Sequence, residues 1–324
     1  MNNKIQQYVD EKYNLLESYI DTVINEKVPI GQYEKKGVEL FLKYKDKYIY
    51  KPEAVKKVIK FFYLLRINNK NKYERFPLLD FQVFWLAALY GLYKTDTERL
   101  IKRCYLTQAK KNGKSSFSAG LALYEQIYDG ELDASIVVLA SSKEQATVVL
   151  DYIKAMIANS PELPELNVQR NSIFYNYKNT ICKITVRAAD SDKLQGINPS
   201  FSIIDEFGAH PSALLADRAF SAVSSRINPL QVIITTAYHN KDKSPAYELE
   251  QTAKNILDGI VEDDSFFCQV FSLDNPEEEF HKPELYRKAN PALGKTVNPA
   301  ILESSYKQSL LLPSKKHNFL TDNL

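Results

Sequence analysis

Apolar residues recur at helical spacing through the front of the chain. In QQYVDEKYNLLESYIDTVI they fall at Val9, Tyr13, Leu16, Tyr19, Ile20 and Val23, and VKKVIKFFYLLRI repeats the pattern, so residues 1–72 read as helices. NNKNKYERFP (68–77) reads as a polar connector ending at Pro77. PLLDFQVFWLAALYGLY then predicts a strongly apolar helix with Asp80 as its N-cap.

The period changes from residue 101 onward. RCYLTQA (103–109) predicts a short strand, KKNGKS a loop, and SFSAGLALYEQIY a helix of small and apolar residues. ASIVVLAS (134–141) is the unbroken apolar run of a buried parallel strand. KEQATVVLDYIKAMIANS predicts a helix that stops before Pro161, and SIFYN with CKITVRAA predicts a hairpin. FSIIDE (201–206) is a further buried strand ending in two acids, and LQVIITTA (230–237) is another. Strands alternating with helices predict an α/β fold with a mainly parallel sheet. Beyond about 240 the pattern weakens: a helix over SPAYELEQTAKNILDG, a strand-like SFFCQVFSL, a polar Pro-rich stretch, and one closing helix.

Composition narrows the class rather than the function. A chain of 324 residues with 44% hydrophobic and 25% charged content buries a core without disulfides or metals. Cys104, Cys182 and Cys268 lie far apart with no C-x-x-C spacing, which suggests a reducing compartment and argues against a zinc site. The N-terminus has neither the basic start nor the apolar run of a signal peptide. The most apolar stretch, 81–93, is too short to span a bilayer. Net charge is +2, but residues 1–75 hold 16 Lys+Arg against 10 Asp+Glu, and residues 256–285 hold 9 Asp+Glu against one Lys. A basic front and an acidic patch suit a polyanion on one face, although solvated helix faces give the same counts.

The chemistry begins at QAKKNGKSS. Gly113, Lys114 and Ser115 fill the end of a G-x-x-x-x-G-K-[ST] phosphate loop, with Gln108 where the first glycine stands. Strand, loop and helix in that order place backbone N–H groups and the positive helix end against an anion. Lys114 would reach the β and γ phosphates, Ser115 would ligand Mg²⁺, and Lys110 and Lys111 add positive charge. Taken alone, a G-K-S in a lysine-rich loop is matched by a solvated basic turn. The second requirement, a carboxylate at a neighbouring strand end, is met by FSIIDE: Asp205 for Mg²⁺ and Glu206 as general base for the attacking water. The joint pattern predicts a P-loop NTPase. Thr235 and Thr236 end the next strand, where hydroxyls could sense the γ-phosphate, although β-branched residues are ordinary strand formers and the pair alone does not decide. Gln82 lies upstream, where many motor ATPases place a glutamine that reads adenine, although a lone Gln on a helix is more often a surface residue.

In order, LLDFQVFWLAALYGLY, TQAKKNGKSSFSAGLALYE, ASSKEQATVVL, DKLQGINPSFSIIDEFGAH, QVIITTAYHN and YRKANPALGKTVNP resemble the large terminase subunit of tailed double-stranded DNA phages. The resemblance covers about residues 75–324, and the family's loop of the form [RK]-K-N-G-K-S also lacks the first glycine. It implies a P-loop NTPase of the additional-strand, catalytic-glutamate type, a mainly parallel sheet flanked by helices. It divides the chain into a helical N-terminal region (1–75), a P-loop ATPase core (76–240) and a small C-terminal linking subdomain (241–324). ATP and Mg²⁺ are then the cofactors. Lys110, Lys111, Asn112, Gly113, Lys114, Ser115 and Ser116 form the nucleotide loop, with Gln82 at the adenine. Ser115 and Asp205 hold Mg²⁺, Glu206 is the catalytic base, and Thr235 and Thr236 couple hydrolysis to motion.

The resemblance also implies double-stranded DNA gripped by its backbone, a portal protein, a small terminase subunit and a homo-oligomeric ring. Its expected place is the host cytoplasm, on the procapsid, and not a membrane. Two departures stand out. Where the family often has an arginine, ASSKEQA has Lys143, a poorer fork for a γ-phosphate. Arg226, with Arg218 behind it, is the next candidate for a finger acting on a neighbouring subunit, although each taken singly reads first as a structural or surface arginine. After 240 no strand-borne carboxylates are arranged for two-metal cutting, so ATP hydrolysis without DNA cleavage is expected. ANPALG (289–294) carries no assignable chemistry and is read as a structural turn, with Asn290 held extended before Pro291. The competing readings are another P-loop enzyme, such as a helicase or kinase, and a scaffold that binds nucleotide only to assemble a ring or dock a portal. A scaffold gives Glu206 no purpose.

Overall fold

A computed structural model describes residues 2–69, 71–188, 198–222, 226–237 and 244–324. Three helices come first: α1 (Asn2–Ile24), α2 (Gln32–Lys47) and α3 (Pro52–Leu64), with β1 (Ile49–Tyr50) between the last two. The predicted polar connector is instead a small hairpin of β2 (Arg66–Asn69) and β3 (Lys72–Arg75). Its turn passes through Asn71 at φ 66°, a left-handed conformation that asparagine tolerates and that short hairpin turns require. Helix α4 (Asp80–Gly91) follows, then β4 (Leu92–Tyr93), which pairs with β1. Leu79, not Asp80, stands at the cap position; the Asp80 carboxylate accepts the N–H of Phe81.

The remaining elements build the sheet and its cover. They are β5 (Arg103–Thr107), α5 (Lys114–Ile127), β6 (Ser135–Ala140), α6 (Lys143–Asn159), β7 (Asn167–Val168), β8 (Ser172–Tyr177), β9 (Thr180–Ala188), β10 (Phe201–Asp205), α7 (Leu214–Ser221), β11 (Leu230–Thr235), α8 (Pro245–Leu257) and β12 (Phe266–Val270). The sheet order is β12-β5-β11-β10-β6-β9-β8-β7. The six strands from β12 to β9 run parallel, and β8 and β7 add an antiparallel edge. The expected hairpin of β8 and β9 is present, and β9 also joins β6 in parallel. Every residue of β10, β11 and β12 is buried, which is why these strands read as unbroken apolar runs.

The strand-like SFFCQVFSL is β12, which extends the sheet past residue 240 by pairing with β5. One apolar core runs from Val9, Leu16 and Tyr19 of α1 through Phe62 and Trp85 to Ile136 and Ile203 of the sheet, so the front helices pack on α4 as part of that core. Helices α4 and α5 are apolar on nearly all sides because neighbours surround them. A buried polar chain crosses these layers. Trp85 Nε1 donates to Gln269 Oε1 (2.6 Å), Gln269 Nε2 to the Tyr19 hydroxyl (3.1 Å), and that hydroxyl to Glu34 (2.8 Å). Glu34 is fully buried and pairs with both Arg287 amino groups, at 2.7 and 2.9 Å.

The chain closes with α9 (Pro276–Glu279), α10 (Pro299–Leu311) and α11 (Pro313–Asn323). The single closing helix expected from sequence is thus two, divided at Leu312 where Pro313 begins the second. Leu273, Phe280, Tyr286, Val297, Leu302 and Phe319 form a separate small core here. No described helix is long and apolar enough to cross a membrane.

Candidate nucleotide site

Parallel pairing levels the strand tips. Thr107 of β5 stands opposite Thr235 of β11, and Ile204 of β10 opposite Ile233. The loop after β5 and the acids ending β10 therefore share the carboxyl edge of the sheet, with β11 between their strands. This edge is where open α/β sheets place ligands.

The loop explains its missing glycine. Left-handed residues occur at Lys111 (φ 66°) and at Gly113 (φ 85°), which caps α5. Gln108 is not among the positive-φ residues, so its position demands no glycine. At Gly113 the demand is double: a side chain would be strained by φ, and its Cβ would sit 3.3 Å from Gln82 Nε2. Gln82 is buried, its Oε1 accepting the N–H of Leu79 at 3.1 Å, with its amide against the loop glycine.

Lys114 is 5% exposed and folds back so that Nζ donates to the Gln108 and Ala109 carbonyls, both at 2.9 Å. Burial pushes its pKa down to about 8, against the pull of Glu206 and Asp205. Asp205 is raised to about 6, by burial first and by the Glu206 charge second; Lys114, the Glu206 N–H and the Ser115 hydroxyl oppose the rise. Asp205 Oδ1 accepts the Glu206 N–H at 3.0 Å. The Ser116 hydroxyl donates to the Gly113 carbonyl at 3.1 Å.

Glu206 itself adopts φ 48°, ψ 53°, a left-handed conformation uncommon outside glycine and asparagine. Its Oε2 accepts from the Thr236 N–H (3.2 Å) and hydroxyl (3.0 Å). The Thr235 hydroxyl accepts the Gly208 N–H (2.9 Å) and donates to the Thr236 carbonyl (2.9 Å). Both threonines thus touch the turn that carries Glu206. His210, which sequence reasoning passed over, braces the same turn: its Nε2 meets the Asp205 carbonyl at 3.0 Å, and burial lowers its pKa.

The structure brings together Gln82, the 110–116 loop, Asp205, Glu206, Thr235 and Thr236. Arg226 lies elsewhere. Its guanidinium donates to Glu131, Leu132, Asp133 and Asn198, which precede β6 and β10 at the amino edge of the sheet, opposite the loop. Arg218 is exposed on α7. The Lys143 side chain, much of the DKLQGINPSF segment and the end of QVIITTAYHN lie outside the described residues.

Among the described residues no group of three or more His, Cys, Asp and Glu could hold a metal alone. A serine hydroxyl beside one carboxylate is a donor set that suits Mg²⁺ arriving with phosphate oxygens and waters as its other ligands. Among the described residues, the buried side-chain amide of Gln108 and the Thr107 hydroxyl beside it have no hydrogen-bond partner.

Sequence reasoning also passed over the tie between the loop and the chain's end. Asn112 Nδ2 donates to Asn290 Oδ1 (3.0 Å), and Asn112 Oδ1 accepts the Ala292 N–H (2.9 Å). ANPALG is a turn, with the Leu293 N–H on the Asn290 carbonyl, and it also grips the phosphate loop.

A family profile described as "Terminase large subunit, ATPase domain" matches residues 80–255. The chain is 25% identical over 224 residues to the terminase large subunit of Enterobacteria phage HK97, covering 68% of this chain and 43% of that protein. It is 24% identical over 317 residues to the terminase large subunit of Lactococcus phage p2, covering 91% and 55%. The crystal structure of the HK97 bacteriophage large terminase superposes with a TM-score of 0.68 at 24% identity, over 83% of this chain and 54% of that one. The chain spans about half the length of the relatives it matches.

Proposed function

The chain belongs to the terminase large-subunit ATPase family, and from that premise we propose that it is an ATP-hydrolysing motor that drives double-stranded DNA into a procapsid. Membership of the family implies ATP hydrolysis. The observation that carries the reading is the meeting of Lys114, Ser115, Asp205 and Glu206 at one edge of the sheet, with Glu206 held by Thr236.

The loop N–H groups and the amino end of α5 receive the phosphates. Lys114, now turned onto loop carbonyls, has a buried ammonium that a triphosphate would draw out. Ser115 and Asp205 would hold Mg²⁺, which when bound neutralises phosphate charge. Glu206 accepts the proton of the attacking water as its oxygen reaches the γ-phosphorus and ADP departs. Thr236 competes for the same carboxylate oxygen, so Glu206 cannot serve the water and the β11 tip equally well. That competition is a direct route from hydrolysis to movement of β11. We read β11, lying between β5 and β10, as the additional strand of this class, and the C-terminal helices as the linking subdomain.

A motor that accepts any sequence grips DNA by its phosphates, through Lys and Arg, with binding that weakens steeply in salt. In this reading it works as a ring on a portal protein, in the host cytoplasm, fed by a small terminase subunit. Arg226 binds four acceptors of its own chain, and acting on a neighbouring subunit would require it to give these up.

The test is steady-state ATP hydrolysis against protein concentration for wild type and Glu206→Gln. The expected result is turnover per molecule that rises with concentration and falls by about a hundredfold or more in the variant, with ATP still bound. Glu206→Gln turning over at the wild-type rate would sink the assignment of the base. A wild type that binds no ATP would sink the motor.

A further inference from the structure

The phosphate loop is fastened along its length to a part of the chain nearly two hundred residues away. The Ala109 N–H donates to the Ala289 carbonyl (3.2 Å), and the Lys110 N–H to the Asp322 carbonyl (2.8 Å). Lys110 Nζ pairs with the Asp322 carboxylate (2.6 Å), and the Thr296 hydroxyl donates to the Lys111 carbonyl (2.7 Å). Asn112 and Asn290 form the centre, at 0% and 1% exposure. Asn290 also reaches beyond the loop: its Nδ2 donates to the Tyr286 carbonyl (3.1 Å) and to the Asn323 carbonyl (2.7 Å) at the end of α11.

Two buried carboxamides cost free energy unless their hydrogen bonds are made, and here both are bonded on both sides. The tie is almost wholly polar. Leu273, Phe280, Tyr286 and Phe319 pack in their own small core, and of the segment 289–294 only Ala292 belongs to the main one. Directional bonds transmit a shift of the loop that an apolar contact would absorb by sliding. Substitution of either asparagine breaks the path at a defined atom.

We propose that Asn290 is a positioning residue for nucleotide binding: through Asn112 it sets the phosphate loop, and through Asn323 it makes α11 respond when nucleotide occupies that loop. The proposal rests on the loop's being the ATP site. Linkage makes the effect reciprocal, so ATP must tighten the tie if the tie favours ATP.

The experiment measures affinity for a non-hydrolysable ATP analogue with Mg²⁺ in wild type, Asn290→Ala, Asn112→Ala and the double variant. Amide exchange across Pro313–Asn323 is followed with and without analogue. Asn290→Ala is expected to lose about tenfold in affinity, one hydrogen bond's worth. The double variant should lose no more than Asn112→Ala alone, because the two act as a unit. The analogue should slow exchange in α11 of wild type and not of Asn112→Ala. That variant lies outside the C-terminal body, so its result stands even if Asn290→Ala unfolds that body. Wild-type affinity in Asn290→Ala, losses that multiply in the double variant, or α11 slowing that survives Asn112→Ala each overturn the proposal while leaving the ATP site intact. A wild type that binds no analogue is a different failure: it removes the ATP reading, and this role with it.

Discussion

Nucleotide binding should take up a proton at alkaline pH, and the buried lysine sets the amount. Lys114 titrates near 8 rather than the ordinary 10.5 because burial disfavours its charge more than Asp205 and Glu206 support it. A bound triphosphate adds negative charge beside the ammonium and returns it toward 10.5 or above. The neutral fraction waiting to be protonated is then about 0.1 at pH 7, 0.5 at pH 8 and 0.9 at pH 9. Asp205, at about 6, is about 0.1 protonated at pH 7 and almost fully ionised from pH 8 upward, so it adds almost nothing where the uptake is large. The dissociation constant should weaken about tenfold between pH 7 and 9, since each binding event must first recover the proton. In the nucleotide-free protein the sign for stability follows from the same shift. The unfolded chain binds more protons than the native one between about 8 and 10.5, so the penalty of the buried charge is relieved as pH rises through that window.

The assay is titration calorimetry of a non-hydrolysable analogue with Mg²⁺ in two buffers of different ionisation enthalpy, at each pH. The slope of apparent enthalpy against buffer enthalpy is the proton count. Lys114→Arg provides the control, because arginine does not lose its proton in this range. A count near zero at pH 9 in wild type, or an equal count in wild type and the arginine variant, refutes the reasoning.

Three other outcomes follow from the geometry. Thr236→Val removes the hydroxyl donor to Glu206 and leaves the N–H; turnover should change by about ten- to a hundredfold, a charged hydrogen bond's worth, with analogue affinity unchanged in the same calorimetry. Gly113→Ala meets both the left-handed φ and the Gln82 amide; a loss of about 1–2 kcal/mol in urea denaturation is expected, and Gln82→Ala in the same chain should restore only part of it. Arg287→Ala strands the fully buried Glu34 carboxylate, at a cost of about 3–5 kcal/mol in urea. Burial already raises Glu34, and removing the guanidinium raises it further. The native state then holds the proton to higher pH than the unfolded one, so the loss should shrink on acidification to about pH 5; a loss constant from pH 5 to 8 would show that no buried charge is involved.

The placement of the candidate nucleotide residues at one sheet edge was legible because it follows from local rules. Gly113, Lys114 and Ser115 must sit at a strand-to-helix turn, and Asp205 and Glu206 must end an apolar run, so spacing and burial announce them together. The parallel strands were legible for the same reason: IVVLA, FSIID and LQVIIT are buried on both faces. What escaped was polar and distant. Asn112 meets Asn290 from 178 positions away, and Glu34 meets Arg287 from 253. Neither pair has a periodicity, because each is fixed by packing of bodies rather than by the period of an element. Arg226 reads in sequence as a structural arginine sooner than as a finger, and its bonds to Glu131, Leu132, Asp133 and Asn198 hold loops of its own chain. The residues just before a parallel strand lie at the opposite edge from those just after it.

The outer strand on the β7 side has a meaning beyond the fold. β7 offers only Asn167 and Val168, while the opposite outer strand, β12, packs against α2. An open strand edge is a template on which another chain can add its own backbone, and short outer strands deny it the length to do so. With two residues in β7 and the short stretch Tyr175–Tyr177 of β8 that β7 leaves uncovered, this edge offers a neighbouring copy only a short, broken ladder. Side-by-side association of many copies at high local concentration should therefore proceed through side-chain surfaces that can let go, rather than through a shared backbone ladder that would lock them into a fibre.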